Sequence, residues 1–566
     1  MASYAFAGIV ESNKKLCIAI SGDKSFEQCQ LISPQTDTVS SILSWLTNFE
    51  KKHYVKILGA GVSDSIWEDI FSRLWLELDI VPIQQAVEQD IEQSAKDAAT
   101  AVEYMFNEDG SFPAQINNDR SVKTYPLVRL SDYEAITPQA DFKKLLKLAE
   151  KLKGKKIVYV SATPQGGGVA LMRHSLVRLA KMLDLNIQWL VLKDDPNVFE
   201  ITKKKFHNIL QNVAKEGEML TDSEKDIFSL WSLHNYDVLK DQLNSADYVV
   251  IDDPQPSGLI PHIKNNNPKT KIIYRSHINL VAELADQPGT PQHVTWAFIE
   301  QFVEDADAFI THPIDEFIPY IAKQMKLYKM GASTDPLDGL NKELNEHQLS
   351  IYTNQVNKYL EKSGQKSLDP TRNYITQIAR FDPSKGIPDV LLSYKKLVKK
   401  LKNDKSSIPQ LVIAGHGSID DPDGAPLFDA TRMMLATDDY KDLADDVKVA
   451  RLPHSDQLLN TILRKSIIAL QLSHKEGFEV KVSEALLMGK PVIVYNTGGI
   501  PLQVENGKNG YIVNNGDTDR VAEKLYALLV DSNTYSNMSQ YAKKHVPINV
   551  LTIGKSIEWF EVFLGV

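Results

Sequence analysis

From residue 155 onward, short apolar runs alternate with longer amphipathic stretches. The run at 155–162 is rich in β-branched and aromatic residues and predicts a buried strand. A loop Thr-Pro-Gln-Gly-Gly-Gly comes next. Val169, Met172, Leu176, Leu179, Ala180 and Leu183 then recur at helical spacing, so one face of the next segment is apolar. A second strand at 187–192 completes a strand–helix–strand unit, which implies parallel pairing. Further strands are predicted at 248–253, 271–277 and 307–312. A polar, acidic boundary at 335–368 carries a predicted helix at 341–362. The rhythm then restarts, with strands at 373–379, 409–417, 447–453, 466–473 and 491–496 and a helix over 387–402. Two successive α/β sets of this size predict two doubly wound domains facing one cleft, with ligands beyond the carboxyl ends of the strands. The terminal Ser-Ile-Glu-Trp-Phe-Glu-Val-Phe-Leu-Gly-Val reads as an apolar helix that packs on either domain.

The first 140 residues differ. They hold strand-like runs (Lys-Leu-Cys-Ile-Ala-Ile-Ser and Val-Lys-Ile-Leu-Gly-Ala-Gly), a helical stretch at 62–80 and a polar, acidic part from 84 to 122. They predict an extra α/β unit, free-standing or layered on the first doubly wound domain, with no nameable chemistry. Its expected role is structural or in oligomerisation, and its deletion is expected to leave the cleft chemistry intact unless it dimerises the protein. The division expected is 1–140 accessory, 141–350 first Rossmann-like domain on the acceptor side, 351–545 second Rossmann-like domain on the donor and phosphate side, and 546–566 terminal helix.

Composition narrows the functional classes. The 566 residues carry a formal net charge of −10, poor material for general binding to nucleic acid or an anionic membrane. No apolar stretch is long enough to span a bilayer, and the opening segment lacks the basic-then-apolar pattern of a secretory leader. Two cysteines, Cys17 and Cys29, do not make a disulfide framework. A cytoplasmic location is the expectation.

Four groups of residues carry candidate chemistry. Gly166, Gly167 and Gly168 sit between a strand and a helix, where free N–H groups and close backbone approach suit an anion or sugar hydroxyl. The run lacks the Lys-Ser/Thr of a Walker loop. Arg380 ends a predicted strand and Lys385 lies on the next loop, and two such cations can hold one phosphate. Their substitution by Ala is expected to lower turnover, by about 2–4 kcal/mol in the transition state, at little cost to folding. Glu476 and Glu484, separated by seven residues, fall on a loop and on the next helix, a spacing that surface ion pairs do not explain. Glu479 is a third acid between them. Finally, Asp252, Asp253, His277 and His312 end strands of the first domain. Their spacing gives no zinc site, and no nucleophile elbow is present.

The segments Arg-Phe-Asp-Pro-Ser-Lys-Gly, Glu-Gly-Phe-Glu-Val-Lys-Val-Ser-Glu-Ala-Leu-Leu-Met-Gly-Lys-Pro-Val-Ile and Asn-Thr-Gly-Gly-Ile-Pro together resemble glycosyltransferase family 4, retaining enzymes of the GT-B fold, over about 155–545. Within it, Gly166–Ala170 with His174–Leu176, residues 202–211, Asp253-Pro-Gln-Pro and Arg275-Ser-His277 resemble the trehalose phosphorylase and trehalose synthase group, and the fungal type in particular. The N-terminal 140 residues resemble the extra domain of the fungal members. Many family members have Gly where Glu479 stands. The resemblance implies that Arg380 and Lys385 hold phosphate and that Glu476 binds hydroxyls of the transferred glucose. It also implies that Gly166–Gly168 cover the sugar phosphate, that His277 contacts the glucosyl group, and that Glu484 binds ribose if a nucleotide sugar is the donor. Asp253 joins the substrate-binding set. The implied substrates are sugars with phosphate or a nucleotide sugar. No cofactor or metal is called for, and a homodimer is expected. Three activities stand open at this point: phosphorolysis of trehalose, nucleotide-sugar-dependent trehalose synthesis, and non-catalytic sugar sensing.

Overall fold

The computed structural model describes residues 3–12, 15–22, 28–32, 38–86, 90–416 and 424–566. Three sheets run along the chain. The first is mixed, ordered β3-β2-β1-β4-β5, from β1 (Ser3–Ser12), β2 (Lys15–Gly22), β3 (Gln28–Ile32), β4 (Val55–Ser63) and β5 (Val81–Gln85). The run at 3–12, unread in sequence because it lies directly at the terminus, is its central strand. It pairs antiparallel with β2 and parallel with β4.

The second sheet is parallel, ordered β11-β10-β9-β8-β6-β7. Its strands are β6 (Lys156–Ser161), β7 (Asn186–Val191), β8 (Tyr248–Asp252), β9 (Lys271–Arg275), β10 (Ala308–Thr311) and β11 (Lys326–Lys329). The third is also parallel, ordered β14-β13-β12-β15-β16-β17. It comprises β12 (Tyr374–Ile378), β13 (Gln410–His416), β14 (Val447–Leu452), β15 (Ile468–Gln471), β16 (Val492–Tyr495) and β17 (Gly510–Val513). Near-continuous Val/Ile/Leu runs, buried on both faces, are what parallel sheets demand. The edge strands β11 and β17 escaped the sequence reading; in β11 the reason is that Lys-Leu-Tyr-Lys has no apolar run.

In each parallel sheet the strand order reverses once, between β6 and β8 and between β12 and β15. Loops leaving those strands diverge to opposite sides and open a crevice between them. The Gly166–Gly168 loop and Asp252-Asp253 flank the first switch point. The Arg380–Lys385 loop and the Glu476 loop flank the second.

The chain crosses between the two parallel domains twice. Thr334 and Leu551 pair as a short parallel bridge, with Thr334 N–H donating to Val550 O at 2.9 Å and Thr552 N–H to Thr334 O at 3.1 Å. The helix Thr552–Gly565 thereby returns to the first parallel domain. Its Trp559 meets Tyr159 of β6 edge-on at 5.3 Å, which resolves which domain the terminal apolar helix covers.

The first sheet is a docked layer. Asp79, in the left-handed region at φ 55, caps the end of the helix Asp64–Leu78 and pairs with Lys342 at 2.7 Å, both side chains 1% exposed. Asp79 also accepts from the Tyr352 hydroxyl and from Gln457 Nε2 at 3.1 Å. Trp75 Nε1 donates to Leu337 O at 2.8 Å. Val122 N–H donates to Trp189 O at 2.8 Å, so the segment around Val122 lies on the β7 edge. The helix predicted at 341–362 starts at Glu346, where Asn345 and Gln348 form a reciprocal cap, because residues 335–345 are occupied in holding this layer.

Candidate active site

Lys385 lies at the end of the turn after β12, and its position is set from the strand. Gln377 inside β12 donates from Nε2 to Lys385 O at 2.7 Å and accepts from Leu472 N–H at 3.0 Å, tying the loop to the end of β15. Asp382 closes the turn by accepting from Ser384 N–H and hydroxyl. Gly386 at φ 61 has no room for a Cβ, which would lie 1.9 Å from Leu472 O. Lys385 Nζ then donates to Glu476 Oε2 and, at 2.8 Å, to Glu479 Oε2. Burial works against the ammonium, but the two carboxylates outweigh it and raise its pKa; the neighbouring Arg380 acts in the opposite direction. Arg380, half-buried at the end of the same strand, also bears on Glu476. The two cations expected to share an anion are therefore electrostatic neighbours, with one of them clamped by two glutamates.

The loop after β15 is held as tightly. Burial raises the Glu476 pKa against the pull of Lys385. Glu479 is lowered, because Lys385 and Lys481 outweigh burial. Glu479 adopts φ 63, a region costly to a non-glycine residue, and its carboxylate accepts from Lys385, from Gln471 Nε2 at 3.2 Å and from Lys481 N–H at 3.3 Å. These bonds hold the strained residue where glycine would be the default. Gln503 Nε2 donates to Phe478 O at 2.6 Å while its Oε1 accepts from Ser483. Gly498, at φ 51, leaves no room for a side chain: a Cβ would lie 1.8 Å from Glu476 O.

On the facing domain, Asp252 accepts a two-point contact from Arg173 (Nε to Oδ2, 2.7 Å; Nη2 to Oδ1, 2.6 Å), a bond from Ser161 Oγ at 2.9 Å and one from His277 Nε2 at 2.9 Å. Burial alone would raise its pKa, but Arg173 outweighs burial and holds Asp252 far below the usual carboxylate range. Arg173 lies over the Tyr159 and Trp559 rings at 4.3 and 5.0 Å. His277 is lowered to about 4, chiefly by burial and then by Arg275, so it is neutral at pH 7. Its bond to an ionised Asp252 selects the Nε2–H tautomer. Asp253, at φ 66, accepts from His277 N–H at 2.6 Å, and burial pushes its pKa up to about 7.

The two halves meet at this point. A Cβ on Gly477 would lie 2.8 Å from His277 O, and the His312 ring stacks on Phe478 at 5.7 Å and 15°. His312 Nε2 bonds to His277 O at 3.0 Å. Thus Glu476, Lys385 and Arg380 lie on one wall, and His277, Asp253 and Asp252 on the other, at the carboxyl ends of both sheets. Glu484 and the Gly166–Gly168 loop stand apart from these contacts. Glu484 is 2% exposed, with Oε2 on Lys481 Nζ at 2.7 Å and Oε1 on Thr334 at 3.3 Å, so it braces a domain crossing. Gly167 and Gly168 are exposed with open space around them, and Gly166 adopts φ 103. Among the described residues no hydrogen bond joins this loop to Lys385, Glu476 or His277. Sequence reasoning missed Arg173, Gln377, Gln471 and Gln503. The available signal was a glutamine inside an apolar strand, as in Tyr-Ile-Thr-Gln-Ile and Ile-Ala-Leu-Gln.

Two facing doubly wound domains with charged loops at both switch points define a glycosyltransferase of the GT-B fold. Solved structures carry the same architecture. A trehalose-6-phosphate structure from E. coli bound with UDP-2-fluoro glucose aligns with TM-score 0.54 at 14% identity, over 73% of this chain and 98% of its own. A Candida albicans trehalose-6-phosphate phosphatase N-terminal domain aligns with TM-score 0.55 at 11% identity, over 73% and 97%. Three family models match in succession: a trehalose phosphorylase-like N-terminal domain at 19–125, a trehalose synthase N-terminal domain at 159–319, and glycosyl transferases group 1 at 359–545. A trehalose phosphorylase of Pleurotus pulmonarius is 37% identical over 97% of this chain and 87% of its own length. One from Grifola frondosa is 37% identical over 92% and 81%. A trehalose synthase of Pyrococcus horikoshii is 34% identical over 75% and 93%. The chain belongs to the trehalose phosphorylase and trehalose synthase family, and it is an enzyme of the glycosyltransferase class.

Proposed function

We propose that the protein is a retaining glucosyltransferase that exchanges trehalose and phosphate for α-glucose 1-phosphate and glucose. The observation that carries this reading is the cluster of Arg380 and Lys385 against Glu476 and Glu479, facing a neutral His277 across the domain boundary. In the phosphorolytic direction the C1–O bond to the leaving glucose breaks, and a phosphate oxygen bonds to C1 from the same face. The phosphate proton moves to the departing oxygen. Arg380 and Lys385 hold the phosphate. Glu476 binds hydroxyls of the transferred glucose, and its partnership with Lys385 couples sugar and anion. His277, oriented through Asp252 and Asp253, contacts the glucosyl group. Fixed cations and hydrogen bonds stabilise the developing oxocarbenium charge without reorganising. Gly166–Gly168 cover the sugar phosphate once it is bound. The same reading divides the chain at 140, 350 and 545 into accessory, acceptor-side and phosphate-side domains and a terminal helix. It takes the protein as a cytoplasmic homodimer.

Nucleotide-sugar-dependent trehalose synthesis is the second reading, favoured by the synthase relatives. Two observations weigh against it. Glu484, which would bind ribose, has both oxygens engaged within the protein. The phosphorylase relatives match nearly all of this chain, whereas the synthases match about three quarters. Glucose 1-phosphate formation from trehalose, with and without inorganic phosphate, tests the proposal. Product only with phosphate supports it. No product, together with trehalose formation from UDP- or ADP-glucose and glucose, overturns it.

A further inference from the structure

Between the first sheet and both parallel domains lies a cavity of about 240 Å³. Lys385, Glu476 and His277 do not line it. Its walls come from all three units: Trp75 and Tyr125 from the N-terminal region, Arg178 and Gly166 from the first parallel domain, and Gln355 and Asp456 from the boundary helix and the second. The lining is built, polar and unfinished. Arg178 is 8% and Gln355 6% exposed, yet Arg178 Nη1 and Gln355 Nε2 are buried without a partner among the described residues. The same holds for the Tyr125 hydroxyl and His454 Nε2, both on lining residues. A buried polar group left unpaired costs about 1–3 kcal/mol, so four such side chains around one cavity point to a polar occupant.

The lining also selects the chemistry of that occupant. An apolar ligand would leave these groups unpaired. Asp338 and Asp456 also line the cavity, and burial raises the pKa of both, which favours their neutral form; an added negative charge would raise them further, whereas a neutral ligand would not. A hydroxyl can donate to those carboxyl groups and accept from Arg178 and Gln355. The rings of Phe112 and Tyr125, which also line the cavity, suit the C–H face of a pyranose ring. We infer that this cavity is a second carbohydrate site, taking a neutral hexose or disaccharide, separate from the Lys385–Glu476–His277 cluster and completed by the N-terminal unit. Gly166 lies on its rim, so occupancy reaches the glycine loop directly. The inference stands independently of the proposed reaction, which determines only which sugars are tried first.

Equilibrium dialysis of the full chain with labelled glucose and with labelled trehalose gives the number of sites. Gln355→Leu removes an unpaired donor at similar volume, and Tyr125→Phe removes only a hydroxyl should the first variant fold poorly; unfolding midpoints report on folding. The expected result is two trehalose equivalents, one more than the Lys385 site accounts for, and one glucose equivalent beyond the two that the reacting site can hold. That additional equivalent should weaken at least tenfold in either folded variant while the others are unchanged. A single trehalose equivalent unaffected by both variants overturns the inference. So does UDP or inorganic phosphate binding that is lost in Gln355→Leu. Absent turnover with the second equivalent retained would count against the proposed function alone.

Discussion

Removing Lys385 unbalances two buried acids. Its side chain is 9% exposed and those of Glu476 and Glu479 are 17% and 11%. In Lys385→Met, two carboxylate oxygens that bonded one nitrogen are left within about 5 Å of each other. They repel by about 3 kcal/mol at an effective dielectric near 20. Breaking a buried pair by removing one partner costs about 3–5 kcal/mol by analogy with measured cases. The two figures describe the same loss, so the folded variant should be less stable by about 3 kcal/mol at pH 7. This revises the sequence expectation of little cost to folding, which treated Lys385 as an exposed loop cation. Linkage fixes the sign with pH. Without Lys385, burial and mutual repulsion raise the folded-state carboxyl pKa above the unfolded value of about 4.3. A raised carboxyl pKa contributes stability below it that is lost as pH rises through it, so the deficit should shrink between pH 7 and pH 5. Urea unfolding of wild type, Lys385→Met and Lys385→Met/Glu479→Gln at both pH values is the assay. The double variant should recover at least 1 kcal/mol of the loss, because one charge is gone. A deficit that is the same at both pH values, or no recovery in the double variant, would refute a glutamate clamp on Lys385.

Arg380→Ala should retain its unfolding midpoint within a few degrees but lose about 30- to 1,000-fold in phosphate-dependent turnover, the equivalent of about 2–4 kcal/mol in the transition state; near-normal kinetics would remove it from the anion site. Gly498→Ala places a methyl 1.8 Å from Glu476 O at a positive φ, so turnover should fall more than tenfold, and a neutral outcome would show the loop free to move. Asp252→Asn leaves Arg173 buried without a carboxylate partner and frees His277 to change tautomer; a destabilisation of about 3–5 kcal/mol by denaturant unfolding is expected, and less than 1 would contradict the described network. Deleting residues 1–126 strips Asp79 from buried Lys342 and removes Trp75 from Leu337, so the truncated chain should unfold well below wild type in a thermal melt; an unchanged midpoint would show that these docking contacts add no stability.

Sequence pattern read well wherever one physical cause dominated. Strands buried on both faces announce themselves as β-branched runs, and strand-end loops with Arg380, Glu476 and His277 could be placed at a cleft from that pattern alone. Two kinds of feature were opaque. Strands with little apolar signal, such as Lys326–Lys329, form because a neighbouring strand offers a register. Side chains whose role is decided by distant partners were equally hidden. Spacing shows Glu484 as a candidate ligand residue but not its bonds to Lys481 and Thr334. Spacing likewise shows Lys385 as a candidate anion holder but not its bonds to Glu476 and Glu479. The docking of residues 3–126 rests on single polar residues such as Asp79 and Lys342, which lie far apart in chain order. No local pattern in the chain encodes such a pairing.

The central claim is retaining transfer of glucose from trehalose to phosphate at the Arg380–Lys385–Glu476 cluster. The most direct test monitors trehalose with inorganic phosphate by proton and phosphorus NMR, in wild type and in Arg380→Ala. The account predicts α-glucose 1-phosphate and glucose appearing in equal amounts with wild type, only when phosphate is present, and at least thirtyfold more slowly with the variant. A β-configured product, or phosphate-independent release of glucose, would contradict it.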